Sequence, residues 1–250
     1  MSYPENISPN VTIIDNDYVN DLFYNVSTQN VIRCHGNDIF EISPVRPNTF
    51  NGTVKNLENA FKSYRMNGGM YPVSTSGLKD TSAGVGSDRF CTMSSSFAER
   101  LTDIIKNKSI VDYYTEAETK NEYSFLGVSK YFRFMSYRQG GEHFPHYDSD
   151  FEYVRRGKVD AVTKFSLVVY FSDCESGEFA FVNDKRVDHN NSDWDRQANP
   201  IEIYLTIKPS IGKILLFPHD LCHTVLPFTD KNNTRMIVRG DILFTPTYTP

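Results

Sequence analysis

The chain has 250 residues, 39% of them apolar and 14% aromatic, with Lys plus Arg 26 against Asp plus Glu 31 and a formal net charge of -5. That content supplies a core and excludes global disorder, and the length suits one large domain, such as an all-β barrel or sandwich. No apolar run reaches the roughly 18 residues of a membrane span, and the acid excess argues against a protein held to nucleic acid mainly by phosphate contacts.

The opening MSYPENISPN has neither the basic nor the apolar segment of a secretion signal, so a cytoplasmic location is expected. Cys34, Cys91, Cys174 and Cys222 are scattered with no CxxC pair, which predicts reduced, mostly buried thiols rather than a zinc knuckle. Short β-type runs come first, at 11–14 and 39–42. A helix is predicted over 54–64, with Leu57, Ala60 and Phe61 on one stripe and a stop at Asn67-Gly68-Gly69. A second is predicted over 95–106, capped by Ser94, Ser95 or Ser96, with Phe97, Leu101, Ile104 and Ile105 at 3–4 spacing. A shorter one falls near 110–114. From Tyr131 the pattern changes. Aromatic and β-branched runs at 131–137, 165–171, 178–182, 201–207, 213–217 and 236–244 are separated by Gly, Asp, Asn and Pro. That spacing reads as a sandwich or barrel and not as βαβ units. With no linker visible, one domain over 1–250 is expected, its 1–130 part supporting a 131–250 barrel.

The chemistry concentrates in FRFMSYRQGGEHFPHYDSD, residues 132–150. In a strand, residues i and i+2 face the same way, so His146 and Asp148 converge. A third ligand must come from elsewhere, and His223 is preferred because Leu226-Pro227 follows it. Two His and one carboxylate on one face of an octahedron leave three positions open, the arrangement of non-haem Fe(II) oxygenases. His143, three residues before His146, is expected on the opposite face; His219 lies beside a predicted turn. His35 and His189 read as surface residues, Trp194 as part of a substrate-side lid over 188–200, and Arg155-Arg156-Gly157-Lys158 as a solvated loop. A zinc hydrolase and a non-catalytic metal- or ligand-binding barrel are the alternatives for the same ligands.

An ordered set of motifs surrounds the triad. The strand ending in Tyr137 leads to a Gly-containing turn and His146-x-Asp148, then to a strand ending Val169-Tyr170-Phe171-Ser172. Ser176-Gly177-Glu178-Phe179 comes next, then Lys208-Pro209 with Gly212, then His223, and last Arg235-Met-Ile-Val-Arg239-Gly-Asp. Over about 131–244 this resembles the 2-oxoglutarate- and Fe(II)-dependent oxygenases, in their prolyl 4-hydroxylase-like branch; Ser87-Asp88-Arg89 before a helix is a looser match upstream. The resemblance implies a mainly β (α+β) fold, a double-stranded β-helix (jelly-roll, cupin-like) with supporting N-terminal helices. It implies Fe(II) on His146, Asp148 and His223, with 2-oxoglutarate, O2 and ascorbate as the further cofactors. Arg235 or Arg239, four apart on one strand, would anchor the distal carboxylate, with Tyr137 and Tyr170 hydrogen-bonding the cosubstrate. The implied reaction hydroxylates an unactivated C–H, first of all of a prolyl residue in a protein or peptide, releasing succinate and CO2. A free amino acid or small molecule, or nucleic acid, are the other substrates of such a core.

Overall fold

The computed structural model describes residues 30–44, 71–72, 87–106, 123–186 and 194–247. The expected run at 11–14, the helices at 54–64 and 110–114, and His189 lie outside these residues. The described strands are β1 (Asn30–Cys34), β2 (Phe40–Pro44), β3 (Tyr71–Pro72), β4 (Ser87–Met93), β5 (Tyr123–Val128), β6 (Tyr131–Tyr137) and β7 (His143–His146). They continue with β8 (Glu152–Arg155), β9 (Lys158–Tyr170), β10 (Phe179–Val182), β11 (Ile203–Ile207), β12 (Ile214–Pro218), β13 (His223–Val225) and β14 (Arg235–Pro246). One helix, α1 (Ser95–Ile105), is described, and Pro200–Glu202 forms a 3-10 turn.

Two antiparallel sheets make the jelly roll. The larger runs β1-β2-β12-β9-β14-β6-β4-β3, with β5 on β14 and β8 on β9, and the smaller runs β11-β10-β13-β7. Period-two alternation sorts the large sheet's side chains into two cores. Phe132, Phe134, Leu167, Val169, Met236 and Val238 face α1, while Met135, Tyr137, Val168, Tyr170, Ile237 and Phe217 face the small sheet. The Ser94 hydroxyl caps α1 by accepting from the Phe97 amide, as its sequence predicts. The helix buries Phe97, Ala98, Leu101 and Ile105, with the Phe97 and Phe132 rings 4.6 Å apart. Thr102 then ties helix to sheet, its hydroxyl donating to the Ala98 carbonyl and accepting from the Val128 amide. Gly127, at φ 143, allows that approach, since a Cβ there would stand 3.1 Å from the Thr102 hydroxyl.

Several expectations change in three dimensions. His35 is half-buried, with Nε2 3.2 Å from Glu41, because it closes the turn between β1 and β2. The Ser87-Asp88-Arg89 run starts β4, and α1 begins only at Ser95. Trp194 is buried against Val182, Ala198 and Cys222, so the described part of its loop is a packed strap and not a lid. Its amide bonds to the Pro145 carbonyl, and Gln197 bridges Glu142, Thr224 and the Val225 carbonyl across β7 and β13. Arg155 and Arg156 form the exposed tip of the β8–β9 hairpin, where Arg156 and Gly157 both adopt positive φ.

Candidate metal centre

The ligating atoms of His146, Asp148 and His223 lie within 4.8 Å of one another. β7 and β13 are neighbours in the small sheet, and their register sets His223 directly opposite His146. Each imidazole has its Nδ1 2.8 Å from a carbonyl two residues upstream, Phe144 for His146 and Leu221 for His223. A carbonyl only accepts, so Nδ1 carries the proton and Nε2 keeps its lone pair for a metal. Burial, reinforced by neighbouring His146, pushes the His223 imidazole down to about 3, so it is neutral and ready to ligate at pH 7.

Asp148 is not held by the strand pleat, because β7 ends at His146. Its carboxylate is fixed from the large sheet instead. The Ser166 hydroxyl of β9 donates to Oδ2, and Arg239 of β14 donates from Nε to Oδ2 at 3.2 Å and pairs from NH2 with Oδ1 at 2.9 Å. Burial alone would raise this carboxyl, but Arg239, with His223 and His146, holds it well below the usual carboxylate range.

His143 departs from its expected orientation. Its ring stacks on that of His146, with centroids 3.9 Å apart and planes at 24°. Between the pairs His223↔His146 and Val225↔His143, β7 carries one residue more than β13. That bulge inverts the alternation and brings residues i and i+3 to one side. His219 turns away from the triad. Its Nδ1 lies 2.9 Å from Asp150 and its Nε2 3.4 Å from Asp241. Burial opposes its charge, yet the two carboxylates prevail and hold the imidazole above its ordinary value.

The two arginines occupy different settings, although both project inward from β14 with Ile237 between them. Arg239 is committed to Asp148, Ser166 and Asp241. Arg235 has no exposed surface, and among the described residues none of its three guanidinium nitrogens has a hydrogen-bond partner. Its guanidinium carbon lies 4.8 Å from the Tyr137 ring centroid and 5.6 Å from that of Tyr170. The Tyr170 hydroxyl is also buried without a hydrogen-bond partner among the described residues, and burial raises that phenol. Tyr137 donates a long contact, 3.7 Å, to the Met135 sulfur. An isolated buried guanidinium is costly, so this cluster of donors fits an anion.

A cavity of about 230 Å³ opens over the triad and reaches Tyr137 and Arg239, with Arg235 and Tyr170 buried outside its lining. Tyr137, His146, Asp148 and His223 line it together with apolar Val168, Phe179, Phe217, Val225 and Ile237. Half-exposed Phe151 and Arg133, whose guanidinium lies 6.0 Å from the Phe151 ring centre, are also in its lining. Ser166, Asp241 and this Arg133–Phe151 pair escaped sequence reasoning. A lone serine inside the apolar run 165–171, and Asp241 two residues after Arg239, are the signals that marked the first two.

Residues 132–240 match the family model described as the 2OG-Fe(II) oxygenase superfamily. No curated protein sequence matches the chain. Among solved structures, the chain is similar to OsALKBH1 at 11% identity and a TM-score of 0.52, covering 84% of this chain and 100% of that one. It is also similar to a prolyl hydroxylase from Trichoplax adhaerens in complex with a hypoxia inducible factor oxygen degradation domain peptide fragment, at 14% identity and a TM-score of 0.47 over 92% and 90% of the two chains. A viral collagen prolyl hydroxylase from Paramecium Bursaria Chlorella virus-1, in its 2OG complex, shares 17% identity and a TM-score of 0.45 over 85% and 98%. In sequence and in fold, the core of this chain at residues 132–240 resembles the 2OG-Fe(II) oxygenase superfamily, whose members use Fe(II), 2-oxoglutarate and O2.

Proposed function

We propose that this protein is a 2-oxoglutarate- and Fe(II)-dependent dioxygenase that hydroxylates a C–H bond of a protein or peptide residue, with proline the first candidate. The observation that carries the reading is Arg235, a fully buried guanidinium with no hydrogen-bond partner among the described residues, set between two tyrosines in a barrel that also holds a His-Asp-His cluster. A dicarboxylate with one end on the metal and the other on Arg235 satisfies both groups. A zinc hydrolase has no use for the buried cation.

Bound Fe(II), with 2-oxoglutarate and O2, supplies the oxidising chemistry and yields succinate and CO2. The chain's own residues do the rest. His146 and His223 present Nε2, and Asp148 presents a carboxylate oxygen. Arg235, with the Tyr170 hydroxyl beside it, would hold the distal carboxylate of the cosubstrate. Phe179, Phe217, Val225 and Ile237 exclude water from the reacting atoms. The cavity falls below the roughly 300–1,000 Å³ of sites that engulf a small-molecule ligand. It suits the cosubstrate plus one inserted side chain, with the bulk of the substrate outside against Phe151 and Arg133, which supports a polymeric substrate. The direct test is succinate release with Fe(II), 2-oxoglutarate and a panel of proline-containing peptides. Turnover that persists without iron or without 2-oxoglutarate would sink the assignment.

Gly177 gives an independent handle on the anchor. It sits at φ 74, and a Cβ there would approach Arg235 Cδ and Phe228 to 3.1 Å. Gly177→Ala is expected to destabilise the fold by about 1–2 kcal/mol through the left-handed backbone alone. Its displaced Arg235 stem should raise the KM for 2-oxoglutarate while metal affinity stays at the wild-type value. Thermal melts and cosubstrate titrations check the two effects separately.

A further inference from the structure

Arg239 does more than neutralise a buried carboxylate. A carboxylate offers about four acceptor positions, two on each oxygen. In Asp148 both positions of Oδ2 are taken, by Arg239 Nε at 3.2 Å and by the Ser166 hydroxyl, while Oδ1 stands in an ion pair 2.9 Å from Arg239 NH2. Arg239 NH2 also donates to Ser166 Oγ at 3.1 Å, so the three groups form one closed ring. The guanidinium is itself held by Asp241, 3.1 Å from NH2, and Asp241 is backed by His219 and Arg133, each at 3.4 Å. Arg239 is therefore braced from behind and grips both oxygens of Asp148 from the front.

We propose that Arg239, with Ser166, is a positioning device that restricts Asp148 to one metal bond, keeping the neighbouring coordination position free for the cosubstrate. The inference rests on the oxygenase reading above. A carboxylate without this clamp has acceptor positions on both oxygens and can chelate. Chelation would occupy a position that a facial triad leaves open. The fork geometry of arginine matters, because a lysine ammonium keeps the charge but is a compact point donor without the planar Nε–NH2 pair that bonds Asp148 and Ser166 in fixed register.

The test uses Co(II) in place of Fe(II), read by the visible absorption of the bound ion and by titration with 2-oxoglutarate. In the wild type, Co(II) binds and 2-oxoglutarate shifts its spectrum. In Arg239→Lys, Co(II) is expected to bind with an altered spectrum, and 2-oxoglutarate affinity for the Co(II) form should fall about tenfold or more, in line with losses of supporting groups around metal ligands. Ser166→Ala removes one hydrogen bond and keeps the charge, so it carries the test if the lysine variant does not fold. Its expected change is smaller and in the same direction. A wild-type spectrum with wild-type 2-oxoglutarate affinity in the folded variants would overturn the role of Arg239. Failure of the wild-type protein to bind Co(II) or to respond to 2-oxoglutarate would instead overturn the oxygenase reading and, with it, this inference.

Discussion

Arg235→Met is expected to lower 2-oxoglutarate affinity by about 100-fold or more while leaving the apoprotein equally stable or more stable. The two effects have opposite signs for one reason. Without an anion, the guanidinium is buried with no hydrogen-bond partner among the described residues, and its desolvation opposes folding. Methionine is apolar and of similar reach, so it keeps the packing against Tyr137 and Tyr170 and removes that cost. With the anion bound, two charge-assisted hydrogen bonds of about 1.5–3 kcal/mol each are lost, and every 1.4 kcal/mol is tenfold in affinity. Isothermal titration with 2-oxoglutarate on the Mn(II) form measures the first effect, and a thermal melt of the apoprotein the second. A gain of about 1 kcal/mol would raise Tm by roughly 2–4 °C in a chain of this size. Unchanged cosubstrate affinity would remove Arg235 as the anchor. Arg235→Lys should fall between the two, since an ammonium keeps the charge and loses the fork.

Asp148→Ala and His223→Ala are each expected to abolish stoichiometric Fe(II) or Mn(II) binding and all succinate release, whereas His219→Gln retains metal binding. His223 and His219 are four residues apart and both buried, so sequence distance alone does not separate them. Their partners do. His223 presents Nε2 3.6 Å from Asp148, with Nδ1 occupied by a carbonyl. His219 has Nδ1 hydrogen-bonded to Asp150 and Nε2 turned to Asp241 at 3.4 Å, away from the triad. Loss of one of the three removes a bond that no other group of the cluster found among the described residues replaces, since the ring of His143 stacks on His146 and is not part of that cluster. Metal binding measured by electron paramagnetic resonance of Mn(II) distinguishes the variants directly. Full activity in Asp148→Ala or His223→Ala would dismiss the triad.

The amino-acid sequence by itself determined the elements and the faces. Aromatic and β-branched alternation marked β6 and the core of β9, β10, β12 and β14, and a 3–4 stripe with a serine cap marked α1. These signals are local: a strand's pleat and a helix's first turn are specified by residues within a few positions of one another. His-x-Asp, a distant His and two arginines four apart on one strand are legible as residue types and spacings, and the fold brings His146, Asp148 and His223 within 4.8 Å of one another. Tertiary structure alone decided what each of those groups meets. Period-two alternation states that Arg235 and Arg239 share a face, but not how deep each lies in the barrel. Depth comes from pairing across β14, which sets Arg235 beside Tyr137 and Arg239 beside Arg133 and Val168. So one arginine is left alone between tyrosines and the other is clasped to Asp148. The bulge that turns His143 toward His146 is likewise a mismatch between two strands some eighty residues apart in sequence. Ser166 and Asp241 reach the site only because β9 and β14 are hydrogen-bonded neighbours. Local chemistry fixes which way a side chain points while the pleat is regular, and the registration of distant strands fixes where the pleat breaks and what each side chain meets.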